Sequence, residues 1–286
     1  MRGLTALIAL IGMAACDDGM SDAMESLDAM PLDAMVDATP SVATATVGYR
    51  LEWDTSRVEP AEAGWSVTTD LGYRVTLTRG YLVSYQASLV PCSQVEATQG
   101  ALDTAAQVFF ALIGVSTAHA GHDDVPDPTR LAAPRIESLL RPTALDWGEL
   151  VVPGTTYCQA HYVVARADDS AAPWPRDVEM SRVSAYIEGT WQQGDAEPVA
   201  FTVNSSLANG RLVDLFPEGH FGETDAALTI DTAAEGALVL IRRDLGGLFD
   251  GIDFATADDR TVERTLLTTL IDGLVIEVVT GADDAP

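Results

Sequence analysis

The chain has 286 residues, 47% of them hydrophobic, and its 43 acidic residues outnumber 16 basic ones to give a formal charge of −27 and a pI near 4.1. That balance excludes a nucleic-acid binder, whose affinity rests on basic residues facing phosphate, and it disfavours direct docking on anionic lipid. The hydrophobic fraction is enough for a substantial core in one large domain or two small ones.

The first element in chain order is a leader. Arg2 precedes an apolar run from Leu4 to Met13, and Met13-Ala14-Ala15-Cys16 follows. A short positive region, an apolar stretch and small residues before a cut make an export signal, and the apolar stretch is too short to span a bilayer core, which takes roughly twenty residues. These residues resemble the signal of bacterial lipoproteins, in which the small residues precede a cysteine that is lipidated and becomes the new N-terminus. The resemblance implies a signal peptide over residues 1–15 and lipid attachment at Cys16. It places the mature protein outside the cytoplasm, in the periplasm or on the outer surface, anchored to the cell envelope through its acyl chains.

Residues 16–45 read as a disordered acidic tether. Between Asp17 and Thr46 there are seven acidic residues and no basic one, and a short theme repeats in Ser21-Asp22-Ala23-Met24, Leu27-Asp28-Ala29-Met30 and Leu32-Asp33-Ala34-Met35. Such a segment buries too little apolar surface to offset its ordering entropy. Met20, Met24, Met30 and Met35 offer soft thioether ligands for Cu(I), although low-complexity drift in a spacer explains them more simply.

Residues 46–286 form the folded part, in which period-two alternation dominates. Val47, Tyr49, Leu51 and Trp53 alternate with variable positions, as do Tyr73, Val75 and Leu77, then Val183, Ala185, Ile187, Gly189 and Trp191. Each set predicts a strand with one buried face. Further strands are predicted over Thr156–Ala165, Val199–Asn204, Leu212–Phe216, Ala227–Ile230 and Gly236–Arg242, with turn clusters such as Asn209-Gly210 between them. The count and spacing predict a mainly β fold, an antiparallel β-sandwich.

Two segments depart from that pattern. Ala101–Val115 is strongly apolar and reads as a buried helix or strand, followed by a His/Asp/Pro-rich insertion loop from His119 to Pro128. Near the end, Val262, Leu266, Leu267, Leu270, Ile271 and Leu274 recur at helical spacing, with Asp258 and Asp259 placed to favour a helix N-terminus. One C-terminal amphipathic helix is expected to pack on the sandwich.

With Cys16 assigned to lipid, Cys92 and Cys158 remain, and a pair of exported cysteines predicts a disulfide. The histidines supply the candidate metal site. His119 and His122 stand three apart beside Asp123 and Asp124, and His161 lies on a predicted strand where Tyr157, Gln159, His161 and Val163 share one face. Neutral imidazole is a common ligand for copper and zinc, so His119, His122 and His161 are candidate metal ligands, while His220 reads as a turn residue. The plainer reading of the same residues is a solvated loop and a hydrogen-bonded surface histidine.

The exported β domain, with Gly72-Tyr73-Arg74-Val75-Thr76-Leu77, a paired cysteine framework and few clustered histidines, is similar to the periplasmic copper-binding proteins associated with methanobactin systems. That resemblance implies a β fold binding copper through two histidines, aided by a tryptophan oxidised to kynurenine. None of Trp53, Trp65, Trp147, Trp174 or Trp191 stands two residues before a histidine, so no ligand transfers residue by residue.

Enzyme signatures are absent from the sequence: there is no Gly-x-Ser-x-Gly, no His-Glu-x-x-His and no phosphate-cradling glycine loop. Acidic residues are so abundant that a catalytic carboxylate pair cannot be singled out among them. The leading expectation is therefore a membrane-tethered domain that binds a transition metal, copper before zinc, for capture, sensing or handover. Its rival is a metal-free envelope lipoprotein that binds a protein or glycan partner or serves as a scaffold.

Overall fold

The computed structural model describes residues 43–94, 127–217, 228–230 and 237–279. The chain divides into two units, Met1–Ser41 and Val42–Pro286; the first, with Cys16 and most of the tether, lies outside the described residues. So do the segment Ala101–Val115, nearly all of the insertion loop, and His119, His122 and His220.

The second unit is a β-sandwich. Its strands are β1 (Thr44–Asp54), β2 (Glu59–Ala61), β3 (Gly64–Thr68), β4 (Tyr73–Pro91), β5 (Arg130–Leu131), β6 (Arg135–Ser138), β7 (Leu145–Pro153) and β8 (Thr155–Val164). They continue as β9 (Ala185–Gln193), β10 (Val199–Ser205), β11 (Asn209–Asp214), β12 (Phe216–Pro217), β13 (Leu228–Ile230), β14 (Ala237–Asp244) and β15 (Val275–Val279). One long helix is described, α1 (Asp259–Asp272).

One sheet has five strands in the order β12-β15-β14-β1-β7. The sandwich is not wholly antiparallel, because β1 runs parallel to β14 from Val47 beside Ala237 to Asp54 beside Asp244, and β12 runs parallel to β15. A parallel pair requires a long crossover, and here all ten strands of the second sheet lie in the chain between β1 and β14.

That second sheet is organised by β4, whose 19 residues exceed an ordinary strand. Its first half pairs with β3 and β9, and its second half with β6, β5 and β8. Register shifts between Leu77 and Arg79 and between Ser84 and Gln86 each insert an extra residue and so flip which side chains face inward. Tyr73, Val75 and Leu77 point into the core, then Leu82, then Ala87 and Leu89.

The two inner faces meet in one core. Val47, Tyr49, Leu51 and Trp53 of β1 are all buried, as the alternation predicted, and so are Ala185 and Ile187 of β9. At Gly189 the strands lie so close that a Cβ would stand 2.2 Å from the Thr76 carbonyl oxygen. A smaller apolar cluster of Val83, Ile136, Ala167, Ala171, Met180 and Val183 covers the other side of β4 and β6.

The helix begins where Asp258 accepts a hydrogen bond from the Thr261 backbone N–H at 2.8 Å, leaving one fewer unpaired donor in its first turn. It buries Leu266, Leu267, Leu270 and Ile271 and ends at Gly273. Leu274, expected on the helix, lies beyond its cap and leads into β15. Asn209-Gly210, expected as a turn, opens β11.

Candidate functional site

Of the three candidate ligands only His161 is among the described residues. It sits on β8 between Ser88 of β4 and Leu212 of β11. Its ring rests over Gly210, where an added Cβ would come within 3.2 Å of Nε2. Partial burial lowers its basicity below the usual imidazole value, which keeps the ring neutral and ligand-competent near neutral pH.

The face it occupies holds Gln159 and Val163, as the alternation predicted, but not Tyr157. A register shift between Val90 and Pro91 lets β8 slip by one residue near Cys158. Tyr157 therefore turns into the core with Ala160, Tyr162 and Val164, leaving Gln159, His161 and Val163 on the outer face. Gln159 donates to Asp214 at 2.9 Å. Among the described residues no three His, Cys, Asp or Glu side chains converge as metal ligands.

Cys92 and Cys158 form the expected disulfide, with Cα atoms 4.9 Å apart. It joins the end of β4 to β8 across 66 residues of sequence, which limits the unfolded ensemble by about 4 kcal/mol on a loop-entropy basis.

The most elaborate polar centre is one the sequence reading did not single out. Arg243 is fully buried and reaches from β14 across the core to the opposite sheet. Its guanidinium makes a two-pronged contact with Glu137 of β6, Nη1 to Oε1 at 2.6 Å and Nη2 to Oε2 at 2.8 Å, geometry that strengthens a charge-assisted pair. Nη1 also donates to Ser84 Oγ at 3.1 Å and to the Tyr162 hydroxyl at 3.3 Å. Ser84 Oγ in turn donates to Glu137 at 2.5 Å. Trp53 places its ring centroid 4.1 Å from the guanidinium carbon, well inside the range of a cation–π contact.

Burial alone would disfavour the Arg243 charge, but the adjoining Glu137 carboxylate outweighs it and the guanidinium stays protonated. Burial also pushes the Tyr162 hydroxyl above its ordinary range, so it remains a neutral donor. Every charged group in this centre is matched, which is the condition for a charge to survive in a core.

On the outer side of the same strands a surface cavity of about 280 Å³ is lined by Asp54, Arg242, Arg243, Asp244, Gly273, Val275 and Glu277. Arg242 and Glu277 pair within this lining, and Arg242 and Asp244 also reach charged neighbours outside it. Arg242 contacts Glu277 at 2.5 Å and Glu52 at 3.4 Å, and Asp244 lies 3.6 Å from Arg57.

No protein family, no curated protein and no solved structure matches this chain. No helix among the described residues is long and apolar enough to cross a membrane.

Proposed function

We propose that the protein is an extracytoplasmic lipoprotein, anchored to the bacterial envelope through Cys16, that holds a β-sandwich at the membrane surface as a binding or scaffold module for an envelope protein or glycan. One observation carries this reading: the disulfide consumes Cys92 and Cys158, so the remaining cysteine of the chain's three is Cys16, at the lipobox position. A disulfide also fits an oxidising compartment. The test is acyl labelling with membrane fractionation. Cys16→Ser abolishes labelling and releases the chain from membranes on this reading; retained labelling refutes it.

A second reading, capture or handover of a transition metal, copper before zinc, is favoured by one feature, the neutral imidazole of His161 on an outer sheet face. Its other ligands would be His119 and His122, which lie outside the described residues. Cu(II) and Zn(II) titration of the protein beside a His119→Ala/His122→Ala double variant tests it. Stoichiometric binding lost in the variant supports the metal reading; no binding by either protein leaves the module without a metal role.

A further inference from the structure

We propose that β1 is the strand through which tension from the membrane tether passes into the domain, and that two contacts at its far end act as a stop against its withdrawal. The proposal rests on the lipoprotein reading for the origin of the tension.

The tether joins the domain at β1. The acidic segment runs directly into Thr44, and β1 is an interior strand of its sheet, flanked by β14 along one side and β7 along the other. Thr44 pairs with Pro153, and the Gly154 N–H donates to the Ala43 carbonyl at 2.7 Å, so this is the tether end of the sheet. A pull on Thr44 against a load at the far end of β1 acts along the strand. Backbone hydrogen bonds on both of its sides are then strained in shear and must fail together, whereas a pull across a strand opens them one at a time.

The far end of β1 is fastened twice. Trp53 lies against Arg243, which is bolted to Glu137 in the opposite sheet, and Arg243 Nε also donates to the Glu52 carbonyl at 3.4 Å. Just beyond the strand, Arg57 grips Asp250 at 2.8 Å, and its side chain lies across Gly246, where a Cβ would stand 2.4 Å from Arg57 Cβ. Asp250 is itself fixed, accepting the Asp70 N–H at 3.0 Å, while Asp70 accepts the Gly251 N–H at 2.8 Å. Sliding β1 toward the tether drags Trp53 off a fixed guanidinium and Arg57 through this clasp. Both contacts therefore oppose withdrawal of β1 past Thr44.

Single-molecule force spectroscopy on the full chain carrying Cys16→Ser tests the idea, with one handle at the N-terminus. The second handle is placed either at Asp195→Cys, in the exposed turn after β9 at the far end, or at the C-terminus. Val279 of β15 lies at the tether end opposite Leu238, so tension between the two termini peels strands from one end. The expected result is a rupture force several-fold higher for the first geometry, lowered there by Arg57→Ala and unchanged by it in the second. Equal forces in the two geometries overturn the proposal, and an Arg57→Ala variant with unaltered rupture force overturns the stop. Because the chain is unlipidated, these outcomes are separate from acyl labelling, which reads the anchor alone.

Discussion

Trp53 and Arg243 are direct register partners on the parallel strands β1 and β14, and the tryptophan ring covers a guanidinium that the opposite sheet holds through Glu137. The contact ties together three separated parts of the sequence. It makes the middle of the sandwich polar at one point and apolar around it.

Removing one partner leaves a buried charge without its match. Glu137→Leu is expected to destabilise the fold by about 3–5 kcal/mol, and adding Arg243→Met is expected to recover much of that loss, since a matched apolar pair avoids the desolvation cost. Urea unfolding of the two single variants and the double variant measures the coupling. A double variant as unstable as the sum of the singles contradicts it.

Reduction of Cys92–Cys158 is expected to lower the thermal midpoint by roughly 10 °C, from the loop-entropy estimate and the per-residue unfolding entropy of a domain of this size. A Cys92→Ala/Cys158→Ala variant should match the reduced protein in a calorimetric scan.

Gly189→Ala puts a methyl group where the Thr76 carbonyl and the Phe201 ring already stand, at 2.2 and 3.1 Å. Because the obstruction is backbone, β4 and β9 must move apart. A loss of about 1–3 kcal/mol is expected, as for overpacked sites elsewhere, read from the shift in the urea midpoint.

Two windows of pH dependence follow from the shifted groups. His161 has a folded pKa below its unfolded value, so below about pH 6.5 the unfolded chain binds a proton that the fold resists. Stability falls as pH drops through that range, and His161→Gln should flatten this part of the profile. Asp258 is also held low, by the Thr261 side-chain and backbone donors, but for an acid the window differs. Its contribution is present above the unfolded carboxyl value and is lost as pH falls through the lower folded one. Denaturant midpoints measured across pH 2–8 for wild type, His161→Gln and Asp258→Ala separate the two.

The fold class was legible where alternation is uninterrupted. Tyr49, Leu51 and Trp53 show it for β1, and Leu266, Leu267 and Leu270 show the helical period of α1. It failed at bulges. Past Leu77 the inward parity of β4 changes twice, so Gly80 to Pro91 carries no single period and its length could not be read. The same effect near Cys158 put Tyr157 on the wrong face. Short partners such as β5 and β6 have too few residues to show any period. Arg243 was within reach: Ala237, Val239 and Ile241 set an inward parity on which Arg243 falls, and a charge at such a position demands a partner. Which residue answers it was not legible, because Glu137 is 106 positions away. His161 was correctly placed on a strand, but one strand does not reveal what another segment brings beside it.

The disulfide has a further consequence for how the chain tolerates change. Cys92 and Cys158 bracket the insertion that carries His119 and His122, so a protease cut anywhere between them leaves two fragments that remain covalently one molecule until a reductant is added. Sequence within the insertion can therefore be lengthened, shortened or nicked while the β4–β8 seam stays sewn, whereas β6 and β7, inside the same bracket, carry Glu137 and the partner edge of β1.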